Sequence, residues 1–149
     1  MTQPLKIFLC DLVHDFIGAA TYMFPLNIGY LAAYLKEEFG DAVDVRLFKF
    51  PENLLRAVDN ETPAIVGFSH YVWNADLNAK VAQRVKARSP GTLMVFGGPN
   101  IDYTDFGIKR FFNAAKVADA FIPYQGETPF NHLVREYLTH DCDGGALTA

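Results

Sequence analysis

The chain has little cysteine, one tryptophan, no surplus of positive charge and no long apolar run. Its 149 residues include two cysteines, Cys10 and Cys142, and a single tryptophan, Trp73. Two thiols that far apart make neither a zinc-ligand spacing nor a disulfide framework. Sparing use of cysteine suits the reducing cytoplasm. Thirteen Lys and Arg against seventeen Asp and Glu leave a formal net charge of −4. With no basic stripe, nucleic acid is not an expected partner. No apolar stretch reaches the length of a membrane span, and no basic segment followed by an apolar one marks a signal peptide. A membrane is therefore not an expected partner either.

Phosphate-binding patterns are missing as well. After the first apolar strand, where a dinucleotide fold carries G-x-G-x-x-G, this chain reads Val13-His14-Asp15-Phe16-Ile17-Gly18. There is no P-loop, and the hydroxyl-rich loop of a flavin site is reduced to Thr21. A phosphoacceptor receiver would end its third strand in aspartate and its fifth in lysine; Ser69 and Tyr124 stand near those places.

What is present is a regular alternation of strand and helix patterns. Half of the residues are hydrophobic, enough for one domain with its own core. Strands are expected over Leu5–Leu12, Val43–Phe50, Ala64–Ser69, Thr92–Phe96 and Ala120–Pro123. Between them, helical spacing runs over Leu26–Phe39, Pro51–Asn60, a segment ending near Arg88, Thr104–Ala115 and Thr128–Thr139. Asn74 or Asp76 is the expected cap of the third helix. Lys80, Arg84, Lys86 and Arg88 read as one solvated face of it. Strands alternating with helices predict a doubly wound parallel five-stranded sheet. The flavodoxin-like (Rossmann-like) order 2-1-3-4-5 makes the loops after Leu12 and Ser69 face each other at the switch point.

One stretch stands out. Leu93-Met94-Val95-Phe96 runs into Gly97-Gly98-Pro99-Asn100, a strand opening onto bare backbone that a ligand can approach closely. A tight turn that simply needs glycine is the plainer reading.

Four stretches resemble the N-terminal cobalamin-binding domain of B12-dependent radical SAM proteins, covering about Leu5 to Leu138. Pro25 to Leu35, with Gly29 and Leu31-Ala32, is similar to the family's first helix. Gly67 to Asn74 resembles the end of its third strand. Phe96-Gly97-Gly98-Pro99 resembles its Gly-Gly-Pro loop. Tyr124 to Phe130, with Gly126-Glu127, resembles the Gly-Glu-x-x-Phe segment that opens the last helix. The resemblance implies a cofactor, cobalamin, with its corrin over the carboxyl edge and its nucleotide tail in a crevice at Ser69, Gly97, Gly98 and Pro99. Gly126 and Glu127 would approach the tail or ring rim, and Tyr71 or Trp73 would cover the lower corrin face. Glu127 also reads as an acid near a helix N-terminus, favourable without any ligand, and the two aromatics as packing against a helix or neighbouring domain. A bulky residue at Gly98 is expected to abolish retention and leave the fold intact.

The histidine-ligating pattern D-x-H-x-x-G of cobalamin mutases is displaced here to Asp11, His14 and Gly18. The expected cobalamin is thus base-off without a histidine ligand, and His14 and His70 read as loop residues. No C-x-x-x-C-x-x-C triad is present, so S-adenosylmethionine and a four-iron cluster would belong to a C-terminal radical SAM barrel in the parent protein, following around residue 150. No catalytic residue or metal ligand is assigned. Residues 1–140 are the expected cobalamin-binding-like domain and 141–149 a linker or disordered tail. The alternative is the same fold with its cofactor lost, acting as a structural or domain-interface module.

Overall fold

Strand β1 (Leu5–Cys10) lies between β2 (Val43–Phe48) and β3 (Ile65–Ser69), and β4 (Leu93–Gly97) and β5 (Ala120–Ile122) extend the sheet beyond β3. The order is β2-β1-β3-β4-β5 with all pairs parallel, as expected. The structure is a computed structural model that describes residues 3–14 and 23–140. The expected tail over 141–149, with Cys142, and most of the loop after β1, with Gly18 and Thr21, lie outside the described residues.

Among the described residues four α-helices link successive strands, α1 (Leu26–Phe39), α2 (Pro51–Asn60), α3 (Ala75–Arg88) and α4 (Asp105–Ala114), and a fifth, α5 (Glu127–Thr139), follows β5. Side chains alternate across a strand, and β1 feeds both faces of the sheet. Ile7 and Leu9 pack with Ile28 and Leu35 of α1 and with Phe130 and Val134 of α5. Phe8 and Cys10 pack with Leu54, Val58, Val81, Val85 and Phe111 on the opposite side. Cover on both faces explains why β1, β3 and β4 read as continuous apolar runs while the edge strand β2 alternates.

Several boundaries shift by a residue or two. Strand β1 stops at Cys10, although Asp11 N and Val13 N still donate to Phe48 O (3.0 Å) and Lys49 O (3.1 Å). Gly97 belongs to β4, because it pairs with Ser69. The basic residues of α3 are not all free in solvent. Lys86 Nζ lies 2.8 Å from Asp119 Oδ2, and Arg88 Nε lies 2.5 Å from Asp59 Oδ1. No helix among the described residues is long and apolar enough to cross a membrane.

Candidate functional site

Ser69 and Gly97 end β3 and β4 side by side. They open on the α1–α5 face of the sheet, where a crevice of about 290 Å³ lies between the strand ends and the two helices. Ser69, Gly97, Gly98 and Pro99 line it from the sheet; Leu31, Ile122 and Phe130 supply apolar walls; Asn27, Tyr124, Gln125, Gly126 and Glu127 complete it. Of the residues singled out in the sequence, Ser69, Tyr71, Gly97, Gly98, Pro99, Gly126 and Glu127 all border this crevice. Trp73 does not. It borders a second hollow of about 660 Å³ together with Asp11, Leu12, His14, Phe24, Leu26 and Lys49. Asn27 and Tyr71 border both spaces.

The two glycines have different reasons to be glycine. Gly98 has φ 132°, and a Cβ on it would lie 2.6 Å from the His70 carbonyl oxygen. That backbone demands glycine whatever the ligand. A bulky residue at Gly98 would therefore break the strand end before it filled anything, which corrects the expectation that the fold would tolerate it. Gly97 is under no such demand. A Cβ there would meet nothing nearer than Ile122 O at 3.4 Å. What its missing side chain leaves is open space in the crevice.

A polar seam crosses the switch point. Asn27 Nδ2, in the first turn of α1, donates to Ser69 Oγ at 2.5 Å and approaches the Tyr71 hydroxyl at 3.4 Å. Asp11 sits behind it. Burial pushes its carboxyl up, opposed by the charge of Lys49 and by hydrogen bonds from Ser69 and Asn27.

Asn74 occupies the N-cap position of α3, but its side chain does not cap the helix. Its Nδ2 donates to Ser69 O (3.0 Å) and Leu12 O (3.3 Å), and its Oδ1 accepts from Tyr71 N (2.9 Å). Asn78 Nδ2 donates to Ser69 O as well, at 2.8 Å. One buried carboxamide thus ties together the loops after β1 and β3, which face each other as expected. Just beyond, Tyr71 and Trp73 stack with centroids 4.5 Å apart and planes 7° from parallel. Trp73 remains 64% exposed, so the stack presents an aromatic face to the outside rather than packing under a helix.

His70 turns to the other side of the sheet. Its ring meets Phe96 and Phe111 edge-on at 5.7 and 5.3 Å, and burial lowers its pKa. Its Nδ1 is buried without a hydrogen-bond partner. His14 is exposed at the rim of the larger hollow. Glu127 opens α5 as an acid in its first turn and also borders the crevice, so both of its expected roles share one position.

Asn27 and Tyr124 are among the crevice residues that the sequence does not single out. Asn27 looks like an ordinary residue of a helix start, and only its contact with Ser69, forty-two positions away, reveals it. Tyr124 was legible only as a neighbour of Gly126-Glu127; its φ of 57° and its place on the crevice wall come from the fold.

A doubly wound domain with an open crevice at the carboxyl edge of its sheet is a ligand-binding architecture. The B12 binding domain model matches residues 16–134, and the chain belongs to that family. It is 33% identical over 134 residues to the 2-(S-pantetheinyl)-carbapenam-3-carboxylate methyltransferase of Streptantibioticus cattleyicolor, covering 86% of this chain and 19% of that protein. It is 32% identical over 140 residues to the cobalamin-dependent radical SAM methyltransferase TokK of Streptomyces tokunonensis, covering 89% of this chain and 20% of that one. The chain thus spans about a fifth of the length of the curated relatives it matches. Among solved structures, a cobalamin-binding protein from Desulfitobacterium hafniense superposes with TM-score 0.64 at 14% identity, covering 91% of this chain and 59% of that one. A CheY-like protein, tadZ, from Pseudomonas aeruginosa gives 0.61 at 17% identity over 88% and 98%. Both share the fold.

Proposed function

We propose that residues 1–140 are the cobalamin-holding module of a larger radical SAM methyltransferase. The observation that carries this is the crevice itself. Its apolar walls of Leu31, Ile122 and Phe130 and its polar Ser69, Asn27 and Glu127 suit a flat heterocycle on a polar linker. Gly97 leaves room there that its backbone conformation does not require. Ser69, Gly97, Gly98 and Pro99 would line the nucleotide tail, with Gly126 and Glu127 at its upper part. A crevice of about 290 Å³ suits the tail rather than the corrin, and the corrin would lie on the carboxyl edge over the Tyr71–Trp73 stack.

The tail is then withdrawn from the metal, and the bound form is base-off. His14 is displaced from the ligating pattern, so no histidine is assigned below the cobalt. Cobalamin supplies group-transfer chemistry at cobalt, and this chain binds and orients it. S-adenosylmethionine and its four-iron cluster belong to a radical SAM barrel elsewhere in the parent protein, the partner of this module.

Mixing the protein with hydroxocobalamin, desalting it and recording its visible absorption tests the reading. Stoichiometric retention of the corrin bands is expected. Complete loss of colour would instead favour a module that keeps the fold as a domain interface without its cofactor.

A further inference from the structure

The loops that follow β4 and β5 meet at one pair of stacked rings. Tyr103, between β4 and α4, and Tyr124, between β5 and α5, stack with centroids 4.5 Å apart and planes 20° from parallel. Tyr124 is 76% exposed and borders the crevice. Its φ of 57° is the only positive value at a non-glycine among the described residues. A bulky residue in the left-handed region is an outlier; glycine or asparagine adopts it at lower cost. An exposed ring gains little from the hydrophobic core, so burial does not account for this conformation. In this conformation the Tyr124 ring borders the crevice and is backed by Tyr103, which stacks on it from outside the crevice lining.

We propose that the Tyr103–Tyr124 stack is a fixed aromatic wall against which the heterocyclic base of the cofactor's tail packs. Tyr124 thereby selects corrinoids that carry a nucleotide tail over those that lack one. The inference rests on the cobalamin reading and goes beyond it by naming the residue that reads the tail. A planar heteroaromatic base matches a tyrosine face, and a wall already held by Tyr103 loses little freedom when the base arrives. Of the other rings that border the crevice, Phe68, Phe96 and Phe130 belong to the buried core, and Tyr71 is stacked on Trp73.

The test compares two ligands on three proteins. Hydroxocobalamin and cobinamide, the corrinoid without the nucleotide, are titrated by equilibrium dialysis into the wild type, Tyr124→Asn and Tyr124→Phe. The wild type is expected to bind hydroxocobalamin more tightly than cobinamide. Tyr124→Asn should weaken hydroxocobalamin about tenfold, the loss of one aromatic stack, and leave cobinamide unchanged. Its Tm should not fall, because asparagine tolerates the left-handed conformation. Tyr124→Phe keeps the ring and should match the wild type for both ligands. Equal affinities in Tyr124→Asn and the wild type would overturn the role of Tyr124 and leave the cobalamin reading standing. Equal weakening toward both ligands would also overturn it, since the residue would then serve the corrin or the fold. A wild type that binds neither ligand would overturn both readings together.

Discussion

Gly98 and His70 are locked together through their backbones: a Cβ on Gly98 would sit 2.6 Å from the His70 carbonyl oxygen and 3.1 Å from its nitrogen. His70 N donates to Gly97 O at 2.6 Å, and Asn100 N donates to His70 O at 3.3 Å. The two strand ends behind the crevice are therefore one rigid unit. Gly98→Ala should destabilise the protein by about 2 kcal/mol or more, through a disallowed φ and backbone overlap. Gly97→Ala should cost less than about 1 kcal/mol, since its Cβ meets only ordinary contacts. Urea unfolding of both variants measures the contrast. Equal stabilities would show that the two glycines are not held for different reasons.

Occlusion of the crevice is accordingly tested at Gly97. Gly97→Leu should keep the circular dichroism of the wild type and lose cobalamin in the desalting assay. A folded Gly97→Leu protein with full retention would take the tail out of this crevice.

Much of the fold was legible because its signals are local and repeated. Apolar runs such as Ile65–Ser69 and Leu93–Gly97 follow from cover on both faces, and Pro51 does open α2. The seven crevice residues were legible as strand-end and helix-start positions, since the topology collects such positions at one edge. Asn74 shows where local signals stop. Its place before α3 reads as a cap, while its side chain reaches Leu12 O, sixty-two residues away. The separation of Trp73 from the crevice was illegible for the same reason: it depends on how Tyr71 and Asn27 divide two neighbouring spaces.

Asn74→Ala should be costly. It leaves the partly buried Tyr71 N without its acceptor and removes one donor from buried Ser69 O and one from Leu12 O. Unmade buried hydrogen bonds of this kind cost about 1–3 kcal/mol. Because Trp73 is the only tryptophan, its fluorescence reports the stacked loop directly. A loss of stability together with altered Trp73 emission is expected; unchanged emission would mean that Asn74 does not hold the Tyr71–Trp73 pair.

Stability should depend on His70 in a defined direction. Burial lowers its folded pKa from the ordinary 6.5, so the unfolded chain binds the proton more readily. The contribution is fully present above pH 6.5 and is lost as pH falls through the folded value. Asp11 works the other way: its folded pKa is raised from 3.8, so its contribution is present below pH 3.8 and is lost as pH rises through the folded value. Thermal unfolding between pH 7 and pH 5 should show Tm falling in the wild type and falling less in His70→Phe. The same slope in both proteins would assign the acid sensitivity to other groups.

With cobalt reduced to the Co(II) state, electron paramagnetic resonance should show no splitting from an axial nitrogen. A three-line nitrogen pattern lost in His14→Ala would make His14 a ligand.

The most direct measurement is a crystal structure of the protein with hydroxocobalamin bound. The expected result is the nucleotide tail along Ser69, Gly97 and Gly126 with its base against Tyr124, away from the cobalt, and the corrin over Tyr71 and Trp73. A base still coordinated to cobalt above an empty crevice would contradict the assignment of this site to the tail.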